Sequence, residues 1–295
     1  MTARKGHPGL FWFGIAMGAC ALVFAGLAVV DQRTLLGAPL WLKPLKFALS
    51  FALYTPALAW MLGRLPGRPL RRAGWLIVVA SVIEMVIITG QAARGVRSHF
   101  NDDDLTGVLL YVIMGVTVVG IYLATIAVAG RYLRERRDDR VTVTAIRMGL
   151  VVGVVGMTIG ILMSVVGSHA IGVPDGGPGL PLVGWSTTGG DLRVGHFLGM
   201  HAIQALPLVP AGLTALGRDR YDETARTRIA QVVGLAYGAL VLLVVWQALR
   251  AQPLLAPDVV TLAALVALLA ATGAALAAVL RSSAQRTGIR ATVDV

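Results

Sequence analysis

The sequence predicts an all-α protein, a polytopic bundle of about eight transmembrane helices with both termini in the cytoplasm. Hydrophobic residues make up 56% of the chain and charged residues 14%, with a mean hydropathy of +0.75. Apolar runs of about twenty residues recur, each long enough to cross a hydrocarbon core of roughly 30 Å as a helix. The runs lack the alternation of barrel strands, and only helices or closed barrels satisfy every backbone group in lipid.

Eight spans are predicted, forming a single transmembrane domain over residues 1–295. They cover residues 9–30, 40–62, 73–92, 106–130, 143–168, 192–215, 229–249 and 255–280. A signal peptide is the competing interpretation of the first span, because Arg4 and Lys5 precede it. The apolar run continues to Val30, beyond the length of a signal core, and therefore favours a retained helix. Cys20 is the only cysteine, so no intramolecular disulfide is expected.

Basic residues between the spans predict the orientation. They collect at one end of the predicted bundle, at Arg4, Lys5, Arg64, Arg68, Arg71, Arg72, Arg131, Arg134, Arg136, Arg137, Arg140, Arg218, Arg220, Arg226, Arg228, Arg281, Arg286 and Arg290. The other end carries Arg33, Arg94, Arg97, Arg193 and Arg250. By the positive-inside rule the first end is cytoplasmic, and the expected location is a bacterial inner membrane. The net charge of +11 is then a topology signal and predicts no nucleic-acid partner.

Polar residues enter the second span near its outer end. Lys43, Ser50 and Tyr54 share one helical face with Phe47, and Lys46 lies at the edge of that face. Two interpretations remain open. Either the lysines extend to the membrane surface, or the stripe lines an interior cavity.

The third span carries Glu84 near the middle of the membrane, where a carboxylate must be protonated or paired. Gln91 lies on the same face, about 10 Å nearer the outside. The span is followed by Arg94, His99 and Asn101. Two alternatives stay open: Glu84 serves only as a protonated partner of a neighbouring helix, and the segment after the span is an ordinary solvated connection. The density of ligand-type side chains favours a functional role.

The sixth span opens on a polar sequence. Asp191 is placed to cap the helix, and Arg193 follows it. His196 and His201 border one polar face with Gln204 between them, a spacing that differs from the i,i+4 pair of a zinc helix. The two histidines are therefore expected to serve different neighbours, or to divide into one ligand and one hydrogen-bonding residue.

Residues 169–191 form a predicted extracytoplasmic loop rich in glycine and proline, either a flexible tether or a lid over a pocket. With His169 in the loop, four of the five histidines are predicted at one membrane surface: His99, His169, His196 and His201. Imidazole suits zinc, copper and iron, and haem accepts histidine ligands, so these four are the candidates for a metal ion or haem.

Glycines spaced four apart predict close packing between helices. The pairs are Gly14/Gly18, Gly149/Gly153, Gly156/Gly160, Gly195/Gly199 and Gly234/Gly238. Small residues at this spacing let helix backbones approach one another in lipid.

Four patches carry a resemblance to a family of bacterial multi-pass integral membrane proteins whose activity is uncharacterised. They are WLKPLKFALS at 41–50, GQAARGVRSHFN at 90–101, PDGGPGLP at 174–181 and GDLRVGHFLGMHAIQ at 190–204. The resemblance spans roughly residues 9–215. It implies that the four patches belong to one structural unit. It implies no activity and no cofactor.

Three functions follow as hypotheses. The first is an extracytoplasmic polar pocket that binds a metal ion or haem or carries out chemistry. The second is a transporter or channel for a small anion or proton-coupled solute, with Glu84 as proton carrier and Lys43, Lys46, Arg94 and Arg193 attracting the anion. The third is a membrane assembly subunit. No P-loop, GxGxxG, G-x-S-x-G or CxxC signature occurs.

Overall fold

The computed structural model describes residues 3–65, 67–135, 138–216 and 221–293, with side chains described as far as residue 284. Its helices are α1 (Ala3–Gly6), α2 (Pro8–Val30), α3 (Leu42–Leu62), α4 (Arg68–Arg94), α5 (Leu105–Arg134), α6 (Arg140–Val166), α7 (Leu192–Ala205), α8 (Val209–Ala215), α9 (Glu223–Leu249) and α10 (Val259–Val293). Among these described residues, eight helical segments are long and apolar enough to cross a membrane. The predicted all-α, eight-span architecture is confirmed.

Aspartates begin many of these helices by accepting a hydrogen bond from the first turn. The side chains of Asp104, Asp139, Asp191 and Asp222 accept from the backbone N–H of Gly107, Thr142, Arg193 and Ala225. Such caps satisfy donors that have no partner within the helix. Gly95 and Gly167, at φ of 73° and 75°, end α4 and α6 in the left-handed conformation that glycine adopts without strain.

The sixth span is not one continuous helix. After α7, a 3₁₀ turn over Leu206–Leu208 leads into α8. Pro207 and Pro210 lack the N–H that an α-helix would use at these positions, which accounts for the break. The last span begins later than predicted, at Val259 instead of residue 255, because Pro253 and Pro257 precede it and Asp258 accepts from Thr261 N at 2.8 Å.

Large apolar side chains cover the outside of the bundle. Leu22, Val86, Val116 and Val165 are all exposed. A soluble protein rarely leaves so much contiguous apolar surface uncovered. The chain is an integral membrane protein, and these side chains contact lipid. Of the basic residues used above to predict orientation, Arg136, Arg137, Arg218 and Arg220 lie outside the described residues, as do the side chains of Arg286 and Arg290.

An apolar cluster fills the bundle at the end where α3 and α5 finish. Leu58, Met61, Ile77, Val128 and Ile146 are fully buried there. At the same depth, the Tyr132 hydroxyl donates to the carbonyl of Met61 at 2.8 Å. This end is therefore closely packed.

Helix α7 lies directly on a row of glycines in α6. A Cβ atom on Gly149 would come 2.7 Å from the carbonyl oxygen of Ala202, and one on Gly156 would come 2.6 Å from the carbonyl carbon of Gly199. The two backbones are thus in contact, and the position of α7 against α6 depends on the absence of side chains.

Two short hairpins lie at the end of the bundle where α3 and α7 begin. Strands β1 (Thr34–Leu35) and β2 (Ala38–Pro39) pair antiparallel, as do β3 (Ala170–Ile171) and β4 (Gly190–Asp191). The second hairpin joins the two ends of the predicted loop 169–191, and a further bridge links Gly179 to Ser186. The loop is therefore folded on itself.

Candidate functional site

A cavity of about 1140 Å³ opens at this end of the bundle. Its walls come from parts of α3, α4, α5, α6 and α7, the hairpin of β1 and β2, the segment after α4 and the loop 169–191. Because consecutive spans cross in opposite directions, residues far apart in sequence meet at this one end.

Most of the predicted site residues line the cavity. They are Lys43, Lys46, Ser50, Tyr54, Glu84, His99, Asn101, His169, Arg193, His196, His201 and Gln204. Three others do not line it: Gln91, Arg94 and Asp191.

Those three residues hold the surrounding segments in place. Gln91 is buried, donates to the carbonyl of Arg97 at 3.2 Å and accepts from Arg94 at 2.8 Å. Asp191 caps α7 and accepts from Ser186 N at 2.9 Å. In this structure their contacts support the segments around the cavity. Asn101 lines the cavity but is also structural, since its amide donates to the Arg97 carbonyl at 2.7 Å.

The two lysines differ in their partners. Lys46 Nζ donates to the carbonyl of Val183 in the loop at 3.1 Å. Within the described structure, Lys43 makes no hydrogen bond and no ion pair. It is close enough to Glu84, Lys46 and Arg193 for their charges to interact. The arginines of the cavity are paired, Arg193 with Asp191 at 2.6 Å and Arg97 with Asp103 at 2.8 Å.

Glu84 is 1% exposed and bonds through one oxygen only. Its Oε1 lies 2.5 Å from the hydroxyl of Thr117, which also lies 2.9 Å from the carbonyl of Met114. The two acceptors compete for the one hydroxyl proton of Thr117. A proton on Glu84 removes the competition, since the acid then donates to Thr117 and Thr117 donates to Met114. The second oxygen, Oε2, has no partner among the described residues.

The floor of the cavity is formed by Tyr54. Its hydroxyl lies 2.9 Å from that of Thr125, and its side chain is 6% exposed. Beneath it begins the apolar cluster that includes Leu58 and Met61.

His196 presents one free nitrogen. Its Nδ1 lies 2.8 Å from the carbonyl oxygen of Gly156, which can only accept, so Nδ1 carries the proton. Nε2 then has a lone pair and no partner within the described chain. The ring lies over Gly160, where a Cβ atom would come 2.5 Å from the His196 Cε1.

His99 lies among aromatic rings in the segment after α4. Its ring centroid is 5.7 Å from that of Phe47 and 6.1 Å from that of Tyr111. Burial lowers the pKa of His99 well below its usual value, and the nearby Lys43 lowers it further. The imidazole of His99 is therefore neutral at pH 7.

The remaining histidines are engaged with neighbours. His169 Nδ1 lies 3.3 Å from the Asp175 carboxylate and 3.8 Å from that of Asp191, without a hydrogen bond to either. Burial, followed by the charge of Arg193, lowers the pKa of His169 even though both aspartates act in the opposite direction. The His201 side chain contacts that of Gln204.

The four histidines do not converge on one metal ion. Across the described part of the chain, no group of three or more His, Cys, Asp or Glu side chains could hold a metal ion. A metal at this site would need most of its ligands from a molecule other than the protein.

Sequence reasoning missed several residues that shape the site. Thr117 and Tyr111 belong to the fourth span, where isolated hydroxyls in an apolar run give little signal. The apolar wall includes Phe197 and Met200, which share α7 with the histidines. Their position could have been found from the helical spacing that placed His196 and Gln204 on one face.

By its bundle and its cavity, the chain is a multi-pass helical membrane protein with a deep cavity at one end. No family model matches the chain, and no curated protein or solved structure matches it.

Proposed function

We propose that this protein binds a largely apolar small molecule bearing an acidic group, in a cavity open to the extracytoplasmic side of a bacterial inner membrane. The orientation rests on the positive-inside rule, since Arg64, Arg68, Arg71 and Arg72 lie at the opposite end from the cavity. We also infer kinship with the bacterial membrane proteins that the four sequence patches resemble.

The observation that carries the proposal is that the two lysines of the cavity have no carboxylate in contact with them among the described residues. Each cavity arginine has an aspartate partner, whereas Lys43 and Lys46 have no carboxylate in ion-pair contact among the described residues. Glu84 interacts with Lys43 at longer range and bonds to Thr117. A cation in a low-dielectric site is stabilised by an anion close to it. An acidic ligand supplies that anion.

The rest of the cavity surface favours a ligand with a large apolar part. Phe47, Phe51, Ile121, Met157 and Phe197 line it. Ligand sites are commonly apolar clefts of about 300–1,000 Å³ with a few placed polar groups. This cavity, at about 1140 Å³, is slightly larger than that range. An apolar body against these walls with its acidic group at the lysines accounts for both features.

The test compares a dansyl-labelled fatty acid with its methyl ester, titrated into the purified protein in detergent. The acid should bind about tenfold more tightly than the ester, equivalent to about 1.4 kcal/mol for one charge-assisted contact. Lys43→Met should reduce the difference between acid and ester, and Lys46 accounts for any preference that remains. Lys5→Met, which removes a lysine outside the cavity, is the matched control and should leave the difference unchanged.

Equal affinity of the acid and the ester for the unmodified protein would contradict the proposal. So would a Lys43→Met protein that prefers the acid as strongly as the unmodified protein does. Circular dichroism of each variant confirms that the helical content is preserved, so that a lost preference is not the result of unfolding.

Binding is better supported than transport by the packing under the cavity. A transport site usually lies near the membrane midplane between elements that can open to either side. Here the side chains below Tyr54 are apolar and fully buried, as in Leu58 and Met61.

A further inference from the structure

We propose that the ligand is haem and that His196 binds its iron through Nε2. This inference rests on the proposed function, because haem is an apolar macrocycle that carries two carboxylates. It adds to the proposed function one specific contact, the coordination bond between His196 Nε2 and the iron.

The hydrogen bond of His196 is the first support. Histidines that ligate metals usually donate their other ring N–H to a carbonyl or carboxylate, which fixes the tautomer and the orientation of the ring. The 2.8 Å contact from Nδ1 to the Gly156 carbonyl has this form. Nε2 is left with its lone pair free, as an iron ligand requires.

The ring of His196 is also held rigidly. It packs over Gly160, and α7 itself is fixed against α6 through the contact of Gly199 with Gly156. Phe197 flanks it, with the ring centroids 5.2 Å apart. A site built on two packed helices keeps its ligand in a defined position, which favours coordination over an occasional contact.

The number of protein ligands decides between haem and a bare metal ion. A bare zinc or copper site takes three or four protein side chains, and the described residues offer no group of three. Haem supplies four nitrogens from its own ring and needs one or two axial ligands from the protein. A single well-oriented histidine in an apolar cavity therefore fits haem and does not fit a bare ion.

The other histidines of the cavity are less suited to the role. His169 lies between Asp175 and Asp191 in the loop, and His201 contacts Gln204. His99 Nδ1 meets the Ser98 hydroxyl at 3.2 Å, which can donate or accept and so does not fix the tautomer as a carbonyl does. Lys43 and Lys46 line the same cavity and are available to the two propionates of haem. The cavity thus offers a cationic region and a free imidazole nitrogen, joined by apolar walls.

The experiment titrates the purified protein with haemin and, separately, with metal-free protoporphyrin. Haemin should bind about tenfold or more tightly than protoporphyrin, because only haemin gains the coordination bond. It should also give a shifted Soret band with one haem per chain. His196→Gly should abolish the band shift while protoporphyrin still binds, and added imidazole should restore the shift by filling the space left by the side chain.

His201→Gly is the matched control, since it removes a histidine from the same helix and the same cavity. Its Soret band should equal that of the unmodified protein. Retention of protoporphyrin binding by His196→Gly shows that this variant is folded.

The outcomes separate the two proposals. If haemin and protoporphyrin bind equally and His196→Gly leaves the haemin spectrum unchanged, the haem proposal is overturned while binding of an acidic apolar ligand stands. If neither porphyrin binds and the dansyl fatty acid does, the haem proposal again fails alone. If none of the three acids binds, both proposals fail.

Discussion

At the scale of single residues, the cavity contains polar atoms with no partner in the described chain. Lys43 Nζ, His196 Nε2, Glu84 Oε2 and the Tyr111 hydroxyl are of this kind. An unmade hydrogen bond at a buried site costs about 1–3 kcal/mol, and the Glu84 and Tyr111 oxygens are both buried. The concentration of these four atoms around one cavity is further support for a binding site.

His169 should make the stability of the folded protein depend on pH. Arg193 and Lys43 face it as cations, and Asp175 and Asp191 face it as anions. Its pKa is lowered in the folded protein from an ordinary value of 6.5, so the unfolded chain takes up the proton first as the pH falls. The folded state should therefore lose stability as the pH falls from about 6.5 through the lowered pKa, and the contribution should be constant above that range.

Melting temperatures in detergent from about pH 7.5 to about pH 5.5 measure this effect. His169→Gln should flatten the decline at the acidic end, because the unfolded chain then loses that proton-binding group. An unchanged pH profile in the variant would show that His169 does not contribute.

At the scale of helices, the row of glycines in α6 determines where His196 lies. Gly156 provides both the carbonyl that accepts from His196 and the space into which Gly199 packs. A change at this glycine therefore affects stability and the site together.

Gly156→Ala should destabilise the protein by about 1–3 kcal/mol, because the new methyl group meets the backbone of α7 and forces the helices apart. Gly115→Ala is the control. It lies on α5 with nothing within 4 Å of the added methyl group, and alanine is favoured over glycine in a helix by about 0.5–1 kcal/mol. Chemical unfolding in mixed micelles should show a loss for the first and none for the second; equal stabilities would contradict the glycine-row packing.

Sequence patterns predicted the helices well and the contacts between them less well. Apolar runs and basic loops were sufficient for the eight spans, since both follow directly from the physics of the bilayer. Helical spacing also placed Lys43, Tyr54 and His196 on faces that the structure directs to the cavity. The roles of Gln91 and Arg94 depend on where the segment after α4 folds back against that helix. Residue spacing within a single helix carries no information about that path.

At the scale of the whole molecule, the cavity lies at one end and dense packing at the other. The predicted orientation places the loop 169–191 outside the cell and the segment around Asp138 inside. Single cysteines test it, in a protein whose native Cys20 is replaced by alanine.

Thr187→Cys, in the exposed loop, should react with a membrane-impermeant maleimide in intact cells. Asp138→Cys, which is also exposed, should react only after the membrane is made permeable. The reverse labelling pattern would mean that the protein has the opposite orientation in the membrane, with the cavity on the cytoplasmic side.

The loop 169–191, which forms one wall of the cavity, should affect how fast a ligand binds and dissociates. Its ends are joined by the hairpin of β3 and β4, and Lys46 bonds to its Val183 carbonyl. A molecule that enters past the loop must cross the same barrier when it leaves. Loosening the loop should therefore speed association and dissociation to a similar degree, so residence time changes while the equilibrium constant stays nearly the same.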